Sequence, residues 1–128
     1  MILQPLERRG ARRAAFTLME VLVVAVILVI MAGTASVFVF RYLEEAKVDR
    51  ATMDIVTLTT AANTYKLKNG GTPPENLEQV LPYVTGNDPS SLIDPWRNRY
   101  QYQVMEINGQ QTIVISTTAP DGSTITKP

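Results

Sequence analysis

Phe16-Thr17-Leu18-Met19-Glu20 runs directly into residues 21–40, VLVVAVILVIMAGTASVFVF, twenty positions without a formal charge. A run of that length is enough to cross a bilayer as a helix. One carboxylate, Glu20, stands at its mouth, just after a segment carrying Arg8, Arg9, Arg12 and Arg13. Placing a lone carboxylate in hydrocarbon costs about 2.5–3.5 kcal/mol on insertion scales, so an acid at that position calls for a function and a partner. The arginines ahead of the run put residues 1–15 on the cytoplasmic side of a membrane.

Three readings of this segment differ in where the chain is cut. A plain signal anchor is not cut at all. A secretory signal is cut after small residues such as Gly33 and Ala35. A leader cut before the apolar run leaves that run in the mature protein. A secretory signal has no use for an acid at the start of its apolar region, and Glu20 lies one helical turn after Phe16. The local sequence therefore favours the third.

Working outward, the helix does not stop at Phe40, because residues 41–68 hold no Gly or Pro. Val48, Ala51, Ile55, Leu58, Ala62 and Tyr65 recur at alternating spacings of three and four, which marks one face of a helix. That stripe predicts core packing against a sheet made by the C-terminal half. Glu44, Glu45, Lys47 and Arg50 read as a solvated collar just outside the membrane. From Phe16 to Lys68 the helix is roughly 80 Å long at about 1.5 Å per residue, more than a small domain can cover. Its first half, apolar all round, needs lipid or other copies of itself.

Asn69-Gly70-Gly71-Thr72-Pro73-Pro74 ends the helix, with glycine at the cap and proline beyond it. Residues 75–83 read as a short helical turn with Leu77, Val80 and Leu81 inward, and residues 85–91 as loop. Asp94-Pro95-Trp96 holds the only tryptophan, read as a packed anchor beside a turn. Tyr100, Tyr102 and Val104 alternate with polar residues as in a strand. Asn108-Gly109 is a two-residue hairpin turn, residues 112–116 the return strand, and residues 124–126 a short third strand. The fold class is α+β: a long N-terminal helix packed on a small C-terminal antiparallel sheet.

Composition narrows the chemistry. The 128-residue chain has neither cysteine nor histidine, which removes disulfides, the usual zinc sites and Cys or His catalysis. Residues 41–128 carry eight basic and ten acidic side chains, with no basic patch of the kind that binds nucleic acid. Gly70-Gly71 precedes prolines, so it is not a phosphate loop. Asp94 and Asp121 sit beside turn formers, where Asp serves local hydrogen bonding. No catalytic residue and no metal site is expected.

A small residue, then Phe16-Thr17-Leu18-Met19-Glu20, then an apolar run resembles the processing site of type IV pilins and type II secretion pseudopilins. Asp94-Pro95-Trp96-Arg97-Asn98-Arg99-Tyr100-Gln101-Tyr102 and Tyr65-Lys66-Leu67-Lys68-Asn69-Gly70 are similar to segments of the major pseudopilins of type II secretion. The chain departs from the pattern at Ala15, where glycine is usual, and at Val37, where proline is frequent. Arg97 and Arg99 replace a glycine and a proline, and Lys68 an acid. The resemblance implies that a membrane-embedded prepilin peptidase cuts between Ala15 and Phe16 and methylates the new Phe16 amine. It also implies that Glu20 of one subunit neutralises that amine on its neighbour. Opposite charges about 4 Å apart gain roughly 4 kcal/mol at an effective dielectric of 20, before desolvation is subtracted.

The domain organisation that follows is a leader at 1–15, a transmembrane and assembly helix at 16–40, and a pilin-like periplasmic domain at 41–128. The implied function is a structural subunit, single-pass in the inner membrane, that polymerises into a periplasmic pseudopilus driving type II secretion. Its implied partners are other copies of itself, the prepilin peptidase, minor pseudopilins, the inner-membrane assembly platform and membrane lipid. The alternatives are a type IV or competence pilin, and a membrane-anchored periplasmic binding module that never polymerises. The resemblance also suggests calcium in the loop after the hairpin. Ser116 and Ala119-Pro120-Asp121-Gly122 match its beginning, but most of the ligands have no counterpart, so no tight site is expected.

Overall fold

The computed structural model describes residues 15–127. The expected leader, apart from Ala15, lies outside them. The chain divides into two compact units, Met1–Val39 and Phe40–Pro128, and one helix, α1 (Leu18–Lys68), contributes to both.

In the first unit every described side chain is exposed, including Val21, Leu22, Ile27, Leu28 and Ile30. The polar exceptions close on themselves. The Thr34 hydroxyl donates to the Met31 carbonyl at 2.9 Å and the Ser36 hydroxyl to that of Ala32 at 2.9 Å. With their hydroxyls bonded to the backbone, these residues leave little unpaired polarity on a surface suited to lipid or to like helices.

In the second unit α1 supplies Ala51, Ile55, Leu58, Ala61 and Ala62 to the core, where they join Leu77, Val80, Leu92, Tyr100, Ile113 and Ile115. The inward stripe is the expected one, with three differences. Ala61 joins it, and Val48 stays at the surface, 36% exposed, because it lines a groove described below. Tyr65 is only half-buried and lies outside the core cluster, its ring against that of Tyr83 at 6.0 Å between centroids. The helix ends as its glycines dictate. Gly70 takes φ +66°, and the Gly71 N–H donates back to the Lys66 carbonyl at 2.8 Å, a Schellman closure.

The short turn expected next is a 3-10 helix, Leu77–Tyr83, capped by the Asn76 side chain. The stretch expected to be loop contains a second one, Pro89–Leu92, with Asp88 as its cap and proline at its start. A cap followed by proline is itself a helix-start signal. It was masked by the surrounding turn formers.

Three antiparallel strands follow in the order β1 (Gln101–Ile107), β2 (Gln110–Thr118), β3 (Thr124–Lys127). Tyr102 faces Ile115 and Val104 faces Ile113 across the first pair, and Ser116 faces Thr126 across the second. Asn108 and Gly109 both take positive φ, +53° and +74°, the type I′ hairpin that matches strand twist. β2 buries Ile113, Ile115 and Thr117 in alternation. β1 is an edge strand and buries less, so Val104 remains 39% exposed.

Candidate functional site

Ala15, Phe16 and Thr17 precede the first turn of α1, and Phe16 is 80% exposed. Thr17 is the residue that starts the helix. Its hydroxyl accepts from the Glu20 N–H at 3.2 Å, and the Glu20 carboxylate accepts from the Thr17 N–H at 3.5 Å. This reciprocal pair is a capping box, Thr-x-x-Glu, satisfying two donors that a helix start leaves open. The pattern stands in the sequence as Thr17-Leu18-Met19-Glu20, on the same letters as the expected processing motif, which hides it. Glu20 thus has a local task, and it also sits at the positive end of the helix dipole. Its other oxygen, Oε1, has no partner among the described residues. An ammonium group can approach it there without breaking the cap.

Trp96 and Asp94 organise the second cluster. Asp94 is 4% exposed. Its Oδ1 accepts from the Trp96 N–H at 3.0 Å and the Asn98 N–H at 2.8 Å, and its Oδ2 accepts from the Thr117 hydroxyl on β2. One carboxylate therefore folds the turn and ties it to the sheet. The turn places Arg97 at φ +70°, a left-handed backbone uncommon outside glycine.

The Trp96 indole N–H then reaches Glu44 Oε2 at 3.1 Å, while Glu44 Oε1 takes Lys47 Nζ at 2.8 Å. Lys47, and after it Trp96, hold the Glu44 carboxyl below the usual glutamate range. Glu44, read from sequence as part of a solvated collar, is thus a fixed contact between α1 and the Trp96 turn. No periodicity links positions 52 apart, so sequence reasoning could not find it. Nearby, the Tyr100 hydroxyl donates to Asp54 at 3.1 Å. Burial, then the Asp54 charge, raise that phenol far above its usual value.

Glu44, Glu45, Val48, Asp49, Trp96, Ala119, Pro120 and Asp121 line an open groove of about 550 Å³. The donor set of its loop does not fit calcium, which takes six to eight oxygens. Asp121 is the loop's one carboxylate, and its Oδ1 is bonded to the Ser123 N–H and hydroxyl, which lowers its pKa. Among the described residues no group of three metal-ligating side chains forms.

Residues 38–127 match the family model described as Type II secretion system, protein G, and residues 10–36 match the Prokaryotic N-terminal methylation motif. Three curated relatives share the description type II secretion system core protein G. The protein of Vibrio cholerae is 33% identical over 90% of this chain and 86% of its own length. That of Pseudomonas aeruginosa is 36% identical over 71% and 73%, and that of Aeromonas hydrophila 35% over 70% and 72%. No solved structure matches the chain.

Proposed function

The chain belongs to the Type II secretion system protein G family, and from that premise we propose that it works as the repeating structural subunit of a periplasmic pseudopilus. The observation that carries the reading is the pairing of two matches on one chain. A processing motif covers residues 10–36, and the protein G domain covers 38–127. The names of the relatives favour this over a type IV or competence pilin and over a binding module that never polymerises. The work is mechanical, and no catalytic role is assigned to any side chain.

In this reading residues 1–15 are a cytoplasmic leader. A prepilin peptidase cuts between Ala15 and Phe16 and methylates the Phe16 amine. Residues 16–40 hold the precursor in the inner membrane and then line the polymer interior, and residues 41–128 stand in the periplasm. Minor pseudopilins and an inner-membrane platform start and drive assembly. The exposed apolar surface of residues 21–39 supports the membrane and polymer roles. The Glu20 oxygen that has no partner among the described residues supports its pairing with a neighbour's terminus.

Glu20 has two roles that must be separated, cap and charge. Gln serves a capping box as Glu does, but carries no charge. Glu20→Gln is therefore expected to keep the helix start, membrane insertion and cleavage, and to lose most of the filament yield; Glu20→Ala is expected to lose both the cap and the filaments. Electron microscopy of sheared filaments, with intact mass of the membrane-extracted protein, reads both arms. Normal filaments from Glu20→Gln would leave the acid with its cap role alone. A mature chain starting anywhere but Phe16 would remove the amine and the reading with it.

A further inference from the structure

We propose that the groove beside Trp96 receives the Arg97 guanidinium of a second copy of this chain. The inference rests on the polymer reading above and names one of its contacts. The groove is lined by apolar Val48, Ala119 and Pro120 together with Trp96, and by the acidic Glu44, Glu45, Asp49 and Asp121. Both Glu44 oxygens are already engaged, by Lys47 and by Trp96. Glu45, Asp49 and Asp121 have no cationic partner among the described residues. The lining therefore combines carboxylates that have no ion-paired cation among the described residues with an apolar surface that includes an indole.

A guanidinium fits that chemistry better than an ammonium. It is weakly hydrated, stacks on aromatic faces and bonds carboxylates through a planar fork. Arg97 is exposed and makes no ion pair among the described residues. It does not line its own groove. The other exposed cations without an ion pair fit less well. Arg41 directly follows the apolar run of residues 21–40, Lys68 lies over the Tyr83 ring, 5.0 Å from its centroid, and Lys127 lacks the planar fork. Arg97 also occupies a backbone conformation that glycine adopts freely and arginine only at a cost to its own fold. The groove and Arg97 are unlike patches on one chain. A contact between unlike patches is heterologous, and repetition of it builds an open helical array unless the rotation closes.

The chain has no cysteine, so engineered pairs can be cross-linked without background. The full-length Arg97→Cys/Asp49→Cys double variant, made in cells that carry the assembly machinery, is expected to give an oxidised ladder at multiples of the subunit mass. Each single variant is expected to give none. Arg97→Glu is expected to lower filament yield at least about tenfold, as for a desolvated charge pair left half made. Asp49→Arg in the same chain is expected to restore it. Arg97→Gly is expected to lower filament yield while its melting temperature holds or rises, a split that a purely structural arginine would not produce. Full filament yield from Arg97→Gly, or no ladder from the double variant while the parent forms filaments, overturns the contact and leaves the polymer reading standing. Cross-linking of the double variant to a different protein gives the groove to another partner and overturns it too. Absence of filaments from the parent under conditions that assemble a relative overturns both.

Discussion

At the scale of single residues, the unit Phe40–Pro128 depends on two carboxylates with different exposure. Asp94 is buried and accepts from two backbone N–H groups and the Thr117 hydroxyl. Asp94→Ala strands all three donors and is expected to cost at least about 2 kcal/mol, since each buried unpaired donor carries a penalty of about 1–3 kcal/mol. Asp94→Asn keeps one acceptor oxygen for the N–H groups and should cost clearly less. Urea unfolding of the two variants reads the difference. Glu44 is exposed, and its charge matters rather than its burial. Its folded pKa lies below the ordinary value of 4.5. The folded state therefore binds its proton less readily than the unfolded chain. The contribution is present in full above pH 4.5 and is lost as the pH falls through the depressed value. Trp96 fluorescence is expected to hold steady from neutral pH down to that range and to change below it. In Glu44→Gln the acid step should disappear.

At the scale of elements, α1 shows what pattern can and cannot reveal. Burial depends on which face of a helix a residue occupies, and a repeat of three and four encodes that directly. Ala51, Ile55, Leu58 and Ala62 were legible for that reason, as were the Gly70 stop and the Asn108-Gly109 hairpin. Val48 has the same period but sits where the Trp96 turn and Asp121 leave an open groove, so its exposure depends on residues far along the chain. The Glu44–Trp96 bond and the Asp94–Thr117 bond belong to that class. Each joins two elements through one side-chain pair, and nothing periodic announces it. The capping box was legible in principle, but a second pattern lay over it. The stripe itself is testable. Ile55 is fully buried between α1 and the rest of the core, and Ile55→Ala is expected to cost about 2–5 kcal/mol. Met53→Ala, on the exposed side of the same turns, should change stability little. Denaturant midpoints compare the two directly.

At the scale of the whole molecule, one helix serves two units whose surfaces need different surroundings. The core side chains all lie between Ala51 and Ala119, inside the unit Phe40–Pro128. The other unit buries none of its described side chains. Stability of the unit Phe40–Pro128 is therefore expected to be independent of residues 1–39, and any need of the intact chain for detergent to come from its apolar run. A fragment of residues 40–128 is expected to be monomeric without detergent and to unfold in one cooperative step, with helix and strand signals lost together. Far-ultraviolet circular dichroism with sedimentation velocity tests this. Two opposing forces decide the result. A unit of this size buries a smaller share of its surface than a large domain, which leaves it marginal. Against that, the Schellman stop, the Asp94 turn and the hairpin keep the chain short between contacts, and most of the pairing runs between sequence neighbours. If the fragment instead unfolds gradually, or folds only when residues 16–39 are restored in detergent, the apolar half supports the fold as well as the assembly. The division of labour along α1 would then be wrong.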